Sequence, residues 1–274
     1  MPSHFDLDAY LDRIKYSGPR TATIETLQAI HALHPAAIAF ENLNPLLGWP
    51  VALDLESLQA KLVSAGRGGW CFEHNTLFRH ALDALGFTVT NLAARVLWGA
   101  APDSPIGPRS HMALLVDLDG VRYIADVGFG GNVLTTPLRL EPNIVQPTPH
   151  EAHRLTPLEN GYVLEACING EWQPFYRFTI EPQFPSDYEV SSWFLCSHPS
   201  SFFRHTLLAA RTTPEARYAL RNGALAIHRR DGTEKRTLGD GTQLRSCLEK
   251  DFGLQLPESP ELDDALERVS LLVQ

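Results

Sequence analysis

Apolar residues recur at intervals of three and four through the first 86 positions and then alternate in twos, so the chain divides where the period changes. Phe5 and Tyr10 flank Asp6 as a hydrophobic staple flanks a cap, which predicts a helix over 7–16 ending at Ser17-Gly18-Pro19. Thr23 can cap a second helix through Ile24, Leu27, Ile30 and Leu33, closed by Pro35, and 54–65 predicts a third before Gly66. A fourth starts at Cys71, with Leu77, Phe78, Ala81, Leu82 and Leu85 on one face and Gly86 as its C-terminal cap. Between the second and third, Phe40-Glu41-Asn42-Leu43-Asn44-Pro45 is irregular. Glu41 carries a charge among apolar neighbours and needs a cation, for which Arg67 is the candidate.

Beyond Gly86, 88–98 and 112–127 read as strands, separated by a loop containing Pro102, Pro105, Gly107 and Pro108. Strand-like pieces continue over 162–166 and 172–180, with Pro-rich connections over 137–157, so a barrel or a sandwich is expected. After about Ser191 the signals mix: 219–229 reads as strand, Asp231-Gly232 as turn, and Ser259-Pro260 as the start of a final helix. There is no internal repeat.

Composition narrows the chemistry. The 274 residues are 44% hydrophobic and 20% charged, enough to bury a large core. The 23 Lys and Arg against 32 Asp and Glu leave a net charge of -9, which disfavours nucleic acid and anionic membranes and favours small-molecule work. Cys71, Cys167, Cys196 and Cys247 are scattered without a Cys-x-x-Cys pair, which argues against a zinc ribbon or disulfide framework and fits a reducing cytosol. Met-Pro-Ser-His-Phe-Asp does not read as a signal peptide, and no apolar run reaches spanning length. A cytoplasmic enzyme is expected.

Two stretches carry that expectation. In Arg67-Gly68-Gly69-Trp70-Cys71-Phe72-Glu73-His74-Asn75 a cysteine stands in the first turn of a helix, where free amides and the helix dipole favour thiolate and pull a thiol below its usual ~8.5. Gly68 and Gly69 are expected to leave the approach to sulfur uncrowded. The run from His111 to Asp126 is a hairpin by pattern, with Asp119-Gly120 as its turn. If Leu118 faces Val121, then Val116 pairs with Tyr123, Leu114 with Ala125 and Met112 with Val127 on an apolar face. The other face pairs Asp117 with Arg122, Leu115 with Ile124 and Ala113 with Asp126. His111 then lies diagonal to Asp126 at about 7 Å between Cα atoms, within reach of a hydrogen bond. Cys71, His111 and Asp126 form a relay in this reading: the carboxylate fixes the imidazole tautomer and the free nitrogen takes the thiol proton. A metal site built from Cys71, His74, His111 and Asp126 is the non-enzymatic alternative.

These residues resemble a known family, the arylamine N-acetyltransferases, through Arg67 to Glu73, His111, the Asp126-Val127-Gly128-Phe129-Gly130 run and Phe40-Glu41-Asn42-Leu43. The likeness runs in register from about Phe40 to Gly131; the C-terminal third matches only in the order of its elements. The resemblance implies an α+β multidomain fold with a cysteine-protease-like core. Residues 1–86 would be a helical bundle carrying the nucleophile, 87–190 a β-barrel carrying His111 and Asp126, and 191–274 an α/β lid. It implies acetyl transfer from acetyl-coenzyme A to an arylamine or arylhydrazine through an acetyl thioester on Cys71, with no metal. It also makes Arg67 and Glu41 a structural ion pair. The chain is too short for the interdomain insertion of vertebrate members, so it looks like a bacterial one. Amides at the start of the Cys71 helix would receive the oxyanion. Phe40, Phe129, Phe202 and Phe203 are candidates for an apolar amine pocket, and Gly130 and Gly131 for backbone contacts to coenzyme phosphates. An amide synthase and a transglutaminase-like cysteine hydrolase are rivals that use the same three residues. Oligomeric state is left open by the sequence.

Overall fold

A computed structural model describes residues 4–101 and 103–272; Met1-Pro2-Ser3 and the expected loop residue Pro102 lie outside them. α1 (Leu7–Arg13) is capped by Asp6, whose carboxylate accepts from the Ala9 amide at 2.9 Å, and the Phe5 and Tyr10 rings meet at 5.7 Å as a staple. It ends earlier than expected because Lys15 adopts φ 58°, which no helix continues. α2 (Ile24–Ala37), capped by Thr23, runs two residues past Pro35. A proline in the last turn forfeits one backbone hydrogen bond and does not stop the helix at once. β1 (Phe40–Glu41) and α3 (Leu43–Leu47) give structure to the stretch read as irregular. The predicted third helix is α4 (Leu55–Leu58), capped by Asp54 and continued by a π-helical turn over Gln59–Ser64. α5 (Cys71–Ala84) begins at the cysteine.

Seven antiparallel strands follow: β2 (Thr88–Val96), β3 (His111–Leu118), β4 (Val121–Ala125), β5 (Leu138–Arg139), β6 (His153–Leu158), β7 (Gly161–Ile168) and β8 (Glu171–Phe178), in the order β5-β4-β3-β2-β8-β7-β6. Pro142 bridges Leu155 and Gln146 bridges His153, so the segment after β5 reaches back to β6 and the sheet nearly closes into a barrel. β6 lies inside the region expected to be connection. It accommodates Pro157 because an end strand leaves one side of its backbone unpaired.

The β3–β4 hairpin has the expected register, Leu118 with Val121, Val116 with Tyr123, Leu114 with Ala125, Asp117 with Arg122 and Leu115 with Ile124. Asp119 and Gly120 have φ of 52° and 78°, the conformation a tight two-residue turn requires. Leu114, Val116 and Ala125 pack with Leu77 and Phe78 of α5 in the helical core. The second face is core as well: Leu115 and Ile124 pack with Leu134, Leu155 and Tyr176 inside the barrel. The hairpin is thus a wall between two cores.

α6 (Pro185–Ser197) leads to β9 (Leu208–Thr212), β10 (Ala216–Arg221), β11 (Ala224–Arg229) and β12 (Gly232–Thr237). The expected single strand over 219–229 is a hairpin, turned at Asn222-Gly223 with Asn222 at φ 51°. α7 (Gly241–Lys250) and α8 (Pro260–Ser270), capped by Ser259, cover this sheet, Leu244, Leu248, Leu262 and Leu266 packing with Leu220, Leu225 and Ile227. Its order is β1-β9-β10-β11-β12, so a strand from the N-terminal third forms its edge.

Candidate active site

The turn entering α5 is held from several sides. Glu73, in the first turn of the helix, accepts from the Trp70 amide at 3.0 Å and pairs with Lys61 at 2.7 Å. Arg67 donates Nε and Nη2 to Glu41 at 3.1 and 2.6 Å, and the other Glu41 oxygen accepts from the Leu43 amide at 2.6 Å. Burial opposes the Glu41 charge, but Lys61, Arg67 and the Leu43 amide together hold its carboxyl below the usual range. The glycines have a different purpose from the one expected. A Cβ on Gly68 would stand 2.1 Å from the Ala39 carbonyl oxygen, and one on Gly69 2.7 Å from a Glu73 oxygen, so both are needed for close packing beneath the turn.

Cys71, 7% exposed, has its sulfur 3.7 Å from the Ser110 carbonyl oxygen, and its side chain is within hydrogen-bonding reach of the His111 ring. His111 Nε2 donates to Asp126 Oδ2 at 2.7 Å, which leaves Nδ1 for the sulfur. Burial alone would discharge His111, but the Asp126 charge and hydrogen bond, with Cys71 adding to them, raise it to about 10. Burial likewise opposes the Asp126 charge, and His111, Asn75 and the Gly128 amide overcome it to hold that carboxyl low. The ion pair is the favoured state from both sides.

Asn75, one turn along α5 from Cys71, is a residue the sequence reading did not single out. Its Nδ2 donates to Asp126 Oδ1 at 2.9 Å and to the Met112 carbonyl at 2.8 Å, while its Oδ1 accepts from the Val127 amide at 3.1 Å. Spacing is the signal that was available: i and i+4 share a helix face, so a polar side chain four residues after Cys71 looks at the same place. The Gly128 amide also donates to Asp126 Oδ1, and a Cβ there would stand 2.8 Å from Cys71 Cα, so the strand end is pressed against the first turn.

Phe129 packs edge-on against His111 with centroids 5.0 Å apart and also meets Tyr176 at 5.1 Å. Tyr176, fully buried, lies 5.0 Å from the His111 ring as well. Phe40 stacks on His74 at 6.4 Å and sits beside Gly130, whose Cβ would be 3.8 Å from the ring. Phe203 packs edge-on to Trp70 at 5.4 Å. Phe202 lies further out, 44% exposed, against Phe203 and beneath the Arg221 guanidinium. Gly130 and Gly131 open a short 3-10 turn with Gly130 at φ 65°, and buried Arg217 binds the Gly131 and Val133 carbonyls. An open hollow of about 730 Å³ between Gly48–Asp54 and α6 includes none of these residues.

The metal alternative fails on His74. Its Nε2 lies 3.2 Å from the Ala39 carbonyl, which can only accept, so Nε2 bears the proton; its Nδ1 lies 2.9 Å from His34 Nε2. Neither nitrogen is free to bind an ion. Among the described residues no group of three or more His, Cys, Asp or Glu is placed to hold a metal, and no helix is long and apolar enough to cross a membrane.

A family model described as N-acetyltransferase matches residues 23–260. An arylamine N-acetyltransferase of Mycolicibacterium smegmatis is 46% identical over 254 residues, 92% of each chain. The solved arylamine N-acetyltransferase of Mycobacterium tuberculosis superposes with a TM-score of 0.93 at 43% identity, covering 96% of this chain and all of that one. That of Mycobacterium marinum, solved in complex with CoA, gives 0.93 at 43% identity over 96% of this chain and 99% of that one.

Proposed function

The chain belongs to the arylamine N-acetyltransferase family and is an acetyl-CoA-dependent acyltransferase acting on arylamines, and from that premise we propose that Cys71, His111 and Asp126 carry the acetyl group in two displacements. The observation that carries the reading is His111 set between the Cys71 thiol and the Asp126 carboxylate at the first turn of α5. Cys71 sulfur attacks the acetyl carbonyl, the bond from that carbon to the coenzyme sulfur breaks, and His111 gives the departing thiolate its proton. The arylamine nitrogen then attacks the Cys71 thioester, His111 takes the amine proton, and Cys71 leaves as thiolate. Asp126 holds the imidazolium in one orientation throughout. The amides of Cys71 and Phe72, which have no intrahelical acceptor in a first turn, receive the oxyanion.

Phe129, Phe40 and Phe203 are the walls proposed for the amine, with Phe202 at the mouth. Gly130 and Gly131 are proposed to offer amides to coenzyme phosphates; the left-handed Gly130 and the Arg217 grip on the turn support that role. A reducing, cytoplasmic setting suits a catalytic thiol and four unbridged cysteines.

Incubation with acetyl-CoA alone, followed by intact mass measurement and peptide mapping, should find one acetyl group, on Cys71. Acetylation elsewhere, or none, defeats the reading. Loss of the thioester to water as fast as to an arylamine would assign a hydrolase instead.

A further inference from the structure

β4 ends at Ala125, so the amide of Asp126 has no partner in the sheet. It donates instead to the Nε2 of His31, on α2, at 3.1 Å. Both residues are fully buried, so water cannot take over if the imidazole is lost. His31 is otherwise without polar partners: its Nδ1 has none among the described residues, and its ring stands edge-on to Phe78 at 5.7 Å. A buried imidazole that leaves one nitrogen unsatisfied and commits the other to the main chain of a relay carboxylate costs stability, and its placement calls for a purpose.

We propose that His31 is a positioning residue for acetyl transfer: its unprotonated Nε2 holds the Asp126 amide, and through it the carboxylate, in line with His111. The inference rests on the relay reading above. An N–H can only donate, so His31 carries its proton on Nδ1 and is neutral. The groups facing it are Asp126 and, on its own helix, His34. Asn75 fixes the next amide, that of Val127, and Asp126 itself receives the Gly128 amide, so the three successive amides that set the carboxylate's direction each have a dedicated acceptor. Without His31 the first of these is orphaned and the strand end is free to rotate.

His31→Gln and His31→Leu separate this role from mere filling of the core. The Gln oxygen can accept the same N–H, so that variant should acetylate Cys71 at close to the wild-type rate. His31→Leu, folded by near-UV circular dichroism, should slow enzyme acetylation about 100-fold, the scale of an ångström-sized misplacement. In the same variant the His111 Nε2–H proton resonance, set by its bond to Asp126, should move upfield, and in His31→Gln it should stay in place. Equal behaviour of the two variants, whether both normal or both equally slow, overturns the proposal. Should His31→Leu not fold, 15N imidazole spectra of the wild-type protein decide: an unprotonated, hydrogen-bonded Nε2 upholds it and an Nε2–H tautomer refutes it. Wild-type protein that is never acetylated on Cys71 would instead defeat the relay itself.

Discussion

Asn75 serves three groups with one side-chain amide, and all three are buried in the body of the protein. Replacing it with Ala leaves the Val127 amide, the Met112 carbonyl and one Asp126 oxygen short of a partner, so urea unfolding should show a loss of about 2–3 kcal/mol. An unchanged unfolding midpoint would mean that water fills the gap. Asp126→Asn keeps shape but removes the charge that holds His111 up at about 10. With that charge gone His111 is no longer held as the imidazolium, and enzyme acetylation should fall by about 10⁴-fold, as when a relay carboxylate is neutralised. Normal acetylation in a folded variant would reduce Asp126 to a structural residue. That Cys71, His111 and Asp126 come together was legible because each position can be found by counting: one by its place at a helix start, two by the register of a hairpin. Asn75 was open to the same counting. His31 was not, since its partner lies 95 positions away and is a main-chain amide that any residue could supply.

At the scale of elements, α1, α2 and α5 are joined by a buried polar seam. Tyr10 hydroxyl donates to His34 Nδ1 at 2.8 Å, His34 Nε2 to His74 Nδ1 at 2.9 Å, and His74 Nε2 to the Ala39 carbonyl, so both imidazoles are neutral and every bond points the same way. Burial takes His31 and His74 to about 4 and His34 well below its ordinary value. In the unfolded chain these groups protonate near 6.5, so between pH 6.5 and 4 the unfolded state binds more protons and stability falls with pH. The slope approaches about 1.4 kcal/mol per pH unit for each histidine. His111 acts oppositely, its contribution being present below 6.5 and lost as pH rises through about 10. Denaturant melts at pH 7, 6 and 5 should therefore steepen toward acid, and a flat profile would contradict the neutral seam. The Glu41–Arg67 pair, readable from one charge among apolar neighbours, makes a separate prediction. Glu41→Gln should cost about 3 kcal/mol, since it leaves a buried guanidinium unmatched; an unshifted melting temperature would show the pair to be idle. Other elements were less legible for local reasons: Pro157 masked β6, and the long apolar pattern across 219–229 hid the Asn222-Gly223 turn.

For the molecule as a whole, the pairing of β1 with β9 is the connection no local pattern announces, since its partners are 170 positions apart, as with Phe40 and Ala210. It ties the helical core to the C-terminal sheet, so the two should unfold together. In a Cys71→Ser background, Cys196 of the helical core and Cys247 of the C-terminal core should become reactive to a thiol reagent at one denaturant concentration. Earlier labelling of Cys247 would reveal a separable unit.

The same ladder does not stop at β1. The Glu41 amide donates to the Gly69 carbonyl at 2.8 Å and the Gly69 amide to Ala39, so main-chain bonds run from β12 across the sheet to a residue two positions before Cys71. The far sheet is therefore no hinged cover. Swinging it away would break the bridge between Phe40 and Gly69 that anchors the turn before Cys71, so sheet and turn move as one piece. A pull on the outermost strand is thereby felt, bond by bond, at the turn that carries the thiol.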